Sequence, residues 1–145
     1  MRALQTTIQI SAPIDQVWQV LTDFEKWKDW NPTINQVSGS ATAHSILNIT
    51  MCGSEGKDAM KYKATVLESN PPRNFRWRAT MMSGFMFTND RVFELREKNG
   101  GTELTNAEQF SGLMVPLFWG KMSVFVVPML EKMNQALKDK LETGI

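Results

Sequence analysis

The chain has 145 residues, long enough to bury a core without disulfides or metal staples, and 42% of them are hydrophobic. Sixteen basic residues against fifteen acidic ones leave a net charge of +1, and no run of Lys or Arg marks a nucleic-acid or polybasic lipid-headgroup site. A lone cysteine, Cys52, excludes an internal disulfide.

No composition shift or linker divides the sequence, so one domain over residues 1–145 is expected. The opening Met-Arg-Ala-Leu-Gln-Thr-Thr lacks the apolar run of a signal peptide, and a cytoplasmic location is the expectation.

In chain order, Ala3 to Ile10 alternates, with Leu4, Thr6, Ile8 and Ile10 on one side, which is the pattern of a half-buried strand. The period then changes. Ser11 is a candidate N-cap, Pro13 sits where an early helical proline is tolerated, and Ile14, Val17, Trp18 and Leu21 form a short helical stripe. Asp23 is placed to cap a second short helix carrying Phe24, Trp27 and Trp30, which Asn31-Pro32 stops.

From Thr33 to Phe110 the spacing predicts six strands, near Ile34 to Ser38, Ser45 to Met51, Ala59 to Ser69, Asn74 to Met81, Phe85 to Glu97 and Thr102 to Phe110. Turn-forming residues separate them at Gly39-Ser40, Gly53-Ser54-Glu55-Gly56, Asn70-Pro71-Pro72, Ser83-Gly84 and Asn99-Gly100-Gly101. A turn centred on Asn99-Gly100 sets Leu95 opposite Leu104, Phe93 opposite Asn106 and Arg91 opposite Glu108. One face of this antiparallel sheet then carries Tyr62, Ala64, Val66, Phe75, Trp77, Ala79, Phe93, Leu95 and Leu104, mixed with the polar Asn89, Arg91, Asn106 and Glu108. Lys61, Lys63, Arg76, Arg78 and Glu94 fall on the other, solvated face.

Val115 to Leu141 reads as one long helix, with Met122, Val126, Met129, Met133, Leu137 and Leu141 recurring at spacings of three and four. Phe125, Leu130 and Ala136 widen the stripe. Its second half carries charges opposite the stripe, whereas Leu113 to Leu130 has only Lys121, so the first half is expected to be enclosed or to touch something greasy. Pro116, Gly120, Lys121 and Pro128 interrupt that stretch, which argues against a membrane span and stable insertion. Pro128 offers no amide to Val124 and predicts a kink or division there, a candidate hinge for Gly112 to Pro128. A one-faced sheet needs a cover, and this helix is the only apolar element large enough.

The order of strand, two short helices, six strands and long helix is the helix-grip arrangement. Ile8-Gln9-Ile10-Ser11-Ala12-Pro13, Val17 to Phe24, Trp30-Asn31-Pro32, Gly100 to Leu104 and Glu108-Gln109-Phe110-Ser111-Gly112 resemble, in order, the START-like or SRPBCC superfamily. Within it the chain is similar to the bacterial polyketide cyclase/dehydrase and lipid transport group. The resemblance implies an α+β helix-grip fold, a seven-stranded curved antiparallel sheet wrapped round the C-terminal helix, with two short helices after the first strand.

Ten methionines, five tryptophans and eight phenylalanines suit an adaptable apolar cavity or, equally, core filler. Glu108 and Arg91 on the inner face form either a structural salt bridge or, with Asn106 and Asn89, a group that orients a ligand's polar end or acts as acid and base. Tyr62, the only tyrosine, adds a hydroxyl to that cavity or packs at its rim. Ligand contacts are expected from Trp77, Phe93, Asn106, Glu108, Arg91 and Tyr62, and from Met122, Phe125, Met129 and Met133 of the helix. Glu108, Arg91 and Tyr62 are the catalytic candidates.

His44 and Cys52 lie eight residues apart at opposite ends of a strand, too far to act as base and nucleophile. One histidine and one cysteine make no typical zinc or iron site, and no phosphate loop is present, so neither a metal nor a cofactor is expected. The expected function is binding or transport of a small hydrophobic or lipid-like molecule. Alternatives are a polyketide aromatase/cyclase or dehydratase, and a protein-binding accessory module; the face from Leu113 to Phe118 is a candidate dimer contact, membrane-docking edge or lid.

Overall fold

The computed structural model describes residues 2–52, 58–81 and 85–143. The expected turns at Gly53-Ser54-Glu55-Gly56 and Ser83-Gly84 lie outside the described residues.

Strand β1 (Arg2–Ile10) leads into helix α1 (Ile14–Thr22), a 3₁₀ turn (Phe24–Lys26) and the short α2 (Trp27–Trp30). Strands β2 (Ile34–Ser38), β3 (Ile46–Cys52), β4 (Asp58–Asn70), β5 (Asn74–Met81), β6 (Phe87–Lys98) and β7 (Gly101–Ser111) follow, then α3 (Val115–Thr143). All seven strands form one antiparallel sheet in the order β1-β7-β6-β5-β4-β3-β2, a meander to which the first strand adds itself beside the last. This is the α+β helix-grip arrangement.

The β6–β7 hairpin has the expected register, with Leu95 opposite Leu104, Phe93 opposite Asn106 and Arg91 opposite Glu108. Asn99 (φ 53°) and Gly100 (φ 79°) both take the left-handed backbone that a two-residue turn of this hand requires. Because the pleat alternates, that register puts Arg91, Phe93, Asn106 and Glu108 on one face together.

Three local expectations are corrected. The N-cap of α1 is Pro13, without a side-chain cap bond; the Ser11 amide instead donates to Glu142 Oε2 at 2.8 Å, tying the start of α1 to the end of α3. Asp23 precedes the second helical segment but makes no side-chain cap bond, and that segment is split into a 3₁₀ turn and one α turn. Helix α3 is not divided at Pro128: it is assigned without a break over 29 residues.

The lower part of the curled sheet is filled with rings. Phe75 and Phe93 stack with centroids 4.7 Å apart, and Trp27, Phe24 and Trp77 pack edge-on or tilted around them at 5.1–6.3 Å. Trp27 is fully buried and donates its indole N–H to Leu21 O at 3.0 Å, so this residue pins the helix pair to the sheet. Ile10, Val17, Leu21, Leu47, Ile49, Leu104, Met133 and Leu137 complete this core. A second, smaller cluster of Phe110, Val115, Val126 and Leu130, flanked by Leu4, Phe87, Trp119, Met122 and Met129, lies under the N-terminal half of α3.

Candidate functional site

Between the two apolar clusters runs a belt of polar side chains. The register explains it. Across β6, β7 and β1, the row Leu95–Leu104–Ile8 belongs to the main core, the next carries Phe93, Asn106 and Thr6, and the next Arg91, Glu108 and Leu4. The row after that reaches Phe110 of the second cluster. On α3 the same transition passes from Leu137 and Met133 through Asn134 to Leu130 and Val126.

Arg91 is the centre of the belt, with only 2% of its side chain accessible. Its Nε donates to Asn106 Oδ1 at 2.8 Å, and its Nη2 to Met133 Sδ at 3.1 Å. Nη1 stands 3.6 Å from Glu108 Oε1, and the guanidinium carbon lies 5.1 Å from the centre of the Phe93 ring. Asn106 Nδ2 donates to Asn134 Oδ1 (2.9 Å), Asn134 Nδ2 to Thr6 Oγ1 (2.8 Å), and Thr6 Oγ1 to the backbone carbonyl of Asn106 (2.8 Å). Those three residues close a ring that joins β1, β7 and α3, and it holds the amide against which Arg91 is set.

Electrostatics separate the members. Burial pushes the Glu108 carboxyl above its ordinary range, and the Arg91 charge offsets only part of that. Burial pulls Arg91 below its usual value, against the favourable charge of Glu108. Tyr62 is pushed up to about 12, first by burial and then by the Glu108 charge, while Arg91 acts the other way. Tyr62, half-buried on β4, thus feels both charges.

Two further inner-face donors are buried without a hydrogen-bond partner, the indole N–H of Trp77 and the amide nitrogen of Asn89. Trp77 is directly opposite Arg91 across the β5–β6 pair, and Asn89 is two residues along β6 on the same face. An unpaired buried donor costs about 1–3 kcal/mol; Trp30 Nε1, Asn31 Nδ2, Ser69 Oγ and Arg76 Nε are in the same state away from the ion pair.

Helix α3 covers this face unevenly. Asn134 bonds to β1 and Met133 to β6, which fixes the helix's rotation. At about 100° per residue, Met122 and Met129 then lie on the flank turned away from β1, with Phe118 and Phe125 further round it. Met122 and Met129 are half-buried, whereas Phe118 and Phe125 are 42% and 69% exposed. Facing them, Tyr62 and Asn89 are half-buried and Met60 is 43% exposed, so among the described residues the side chains over β4 to β6 are less covered at this end.

Of the two expectations for the helix's first half, enclosure is corrected and contact with something greasy is left: Leu117, Val124 and Phe125 stand in the open, because α3 packs chiefly on β1 and β7. Of the residues expected at the site, Arg91, Glu108, Asn106 and Met133 come together through hydrogen bonds and an ion pair, and no such bond joins Tyr62 to them among the described residues. Trp77 and Phe93 form its floor, and Met122, Met129 and Phe125 lie along its helical side. Thr6 and Asn134 were not foreseen as members. Their signal was a polar residue interrupting an apolar face, threonine in the alternation of β1 and asparagine beside Met133.

A separate cleft of about 260 Å³ lies among Gln19, Val20, Asp23, Lys26, Asp29, Trp30 and Lys140 and shares no residue with the belt. His44 and Cys52 stay at opposite ends of β3. Among the described residues no group of three or more His, Cys, Asp or Glu is placed to hold a metal ion, and no helix is long and apolar enough to cross a membrane.

Residues 1–142 match the family model described as polyketide cyclase / dehydrase and lipid transport. No curated protein matches the sequence. Among solved structures, a protein from Rhodobacter sphaeroides superposes with a TM-score of 0.78 at 17% identity, covering 99% of this chain and 93% of that one. The di-domain aromatase/cyclase StfQ of the steffimycin biosynthetic pathway gives 0.78 at 8% identity, over 99% of this chain and 52% of its own. The Aha1 dimer from Colwellia psychrerythraea gives 0.68 at 19% identity, over 99% and 98%. At these identities the likeness is one of fold.

Proposed function

The chain belongs to the polyketide cyclase/dehydrase and lipid transport family, and from that premise we propose that it binds a small hydrophobic molecule bearing a polar group, seated on the less covered concave face beside Arg91 and Glu108. The observation that carries this reading is the pair of buried, unpartnered donors, Trp77 Nε1 and Asn89 Nδ2, on the same face as that ion pair. A carbonyl or hydroxyl oxygen of a ligand accepts from them and removes their desolvation cost. Its apolar body lies between Met60 and Tyr62 on one side and Met122, Met129 and Phe125 on the other. Burial of that body, at roughly 25 cal/mol per Å², supplies the affinity, and methionine side chains adapt to its shape.

A second reading is favoured by Glu108. Its raised carboxyl keeps a proton more readily than a surface glutamate, and Tyr62 feels its charge. Such a carboxyl serves as a general acid or base in dehydration and cyclisation of a polyketide-like substrate. In that case Arg91 holds the developing oxyanion and Tyr62 orients it.

Native mass spectrometry of the protein with fatty acids, isoprenoids and aromatic polyketides tests the binding reading. A one-to-one adduct, weakened about tenfold by Asn89→Leu, is expected, since one good hydrogen bond is worth about 1.4 kcal/mol. No adduct with any of the three classes sinks it. Glu108→Gln separates the two readings: it changes only affinity in a carrier, but lowers turnover steeply in an enzyme.

A further inference from the structure

Helix α3 changes character at Glu131. Beyond it, the side turned away from the sheet carries Glu131, Lys132, Gln135 and Asp139, all exposed. Before it, the same side carries Leu117, Lys121, Val124 and Pro128, also exposed, with Leu117 at 72% and Val124 at 74%. Leu113 (72%) continues this surface, and its amide bonds to Phe85 O at 3.0 Å, which brings the 69% exposed Phe85 beside it. Apart from Lys121 and Ser123, the first four turns of α3 are thus apolar both on the face that packs and on the face that does not. A surface helix in water does not need that second face.

The charges decide what covers it. From Ser111 to Leu130 there is no Asp or Glu, and Lys121 stands in the middle of the exposed row. At the inner edge Arg2 lies over the Trp119 ring, 5.1 Å from its centre. In a two-fold dimer through this face, Lys121 meets its own copy's apolar row with no carboxylate from this stretch to pair with, a buried unpaired charge. At a lipid surface the same arrangement is favourable. The apolar side chains enter the acyl boundary while the lysine extends to a phosphate, and an anionic leaflet attracts it.

We infer that the N-terminal half of α3, with Leu113 and Phe85, is a docking face for the surface of an anionic lipid bilayer. The helix lies in the interface without spanning it. Phe118 and Phe125 belong both to this face and to the rim of the less covered concave surface, so docking turns that side towards the lipid. The inference does not require that anything be bound inside.

Flotation with phosphatidylcholine vesicles, with and without phosphatidylserine, tests it on the full chain. Binding is expected to vesicles containing phosphatidylserine and to fall as salt rises. Leu117→Asp with Val124→Asp, both at exposed positions, abolishes it, and Lys121→Glu reduces it about fivefold on anionic vesicles alone. Unchanged circular dichroism and melting of these variants shows that the fold is intact. Protein that stays with the buffer at lipid excess for both vesicle types overturns the inference. So does a dimer in sedimentation equilibrium that the double substitution dissociates, which would assign the face to a second copy. Because the readout is lipid partition, its failure leaves the ligand reading untouched.

Discussion

Arg91 Nε donates to Asn106 Oδ1 at 2.8 Å, and the other end of that amide is held by Asn134, so a guanidinium on β6 is fixed to the helix that closes the sheet. Removing the amide affects both neighbours at once. Asn106→Leu is expected to cost about 3–5 kcal/mol in urea unfolding, since it takes one hydrogen bond from a buried guanidinium and one from a buried amide and leaves a cavity-lining mismatch between them. Asn106→Leu combined with Arg91→Met and Glu108→Leu is expected to recover much of that loss, because no buried charge is left to compensate and Asn134 still bonds to Thr6. A triple variant no more stable than the single one would mean that packing, and not polar pairing, sets the cost.

Glu108 gives stability a pH dependence opposite in sign to that of most carboxylates. Its carboxyl is raised above 4.5 in the fold by burial, so the folded state holds a proton that the unfolded chain has released. Stability from this group is full below pH 4.5 and is lost as pH rises through the folded value. Glu103 and Glu142 are lowered, by hydrogen bonds from Lys98 and Arg96 and from Lys138 and the Ser11 amide, and their contributions are instead lost as pH falls. The difference in unfolding free energy between the parent and Glu108→Gln, measured across pH, isolates the first effect. That difference should decline as pH rises; a rise would mean that the Arg91 charge outweighs burial.

Tyr62 can be followed by itself, because the chain has no other tyrosine. Absorbance titration of the folded protein is expected to show a phenol ionising near pH 12, where an exposed tyrosine would do so near 10. The folded value is raised, so the stability tied to this proton is present below pH 10 and lost between about 10 and 12. Arg91→Met removes the charge that holds the value down and should move it higher still. A parent titration near 10 would place the hydroxyl in water, away from the belt.

The sequence was most legible where periodicity and turn chemistry act together. Asn99-Gly100 sets the β6–β7 register, and the register sets Arg91 against Glu108 and Asn106 against Phe93 without help from any tertiary contact. The rotation of α3 was not legible in this way. Four turns whose only charge is Lys121 mark no clear face in their own sequence, so Phe125 falls in the stripe but is given no side. That rotation is set by Asn134 meeting Thr6 and Asn106, three residues from three distant elements. Pro128 was read for what it removes, one helical hydrogen bond, although the turns on either side keep α3 continuous.

Gly112 joins the sheet to that helix, and its substitution should act on the site at a distance. Its φ of +120° is closed to a side chain, and a Cβ there would run into the backbone of Met86 and Phe87. The flanking amides of Leu113 and Met114 bond to the carbonyls of Phe85 and Met86, both at 3.0 Å, so the backbone has little room to give. Gly112→Ala is expected to cost about 2–4 kcal/mol by urea unfolding. The strain falls at the start of α3 and not at the belt. Amide hydrogen exchange should therefore quicken first in the turns from Val115 to Val126, while the amides of β6 and β7 around Arg91 and Asn106 keep their protection until global unfolding. Equal loss of protection in both would show that the second apolar cluster and the main core open as one unit, and that the first half of α3 has no separate freedom to move from the concave face.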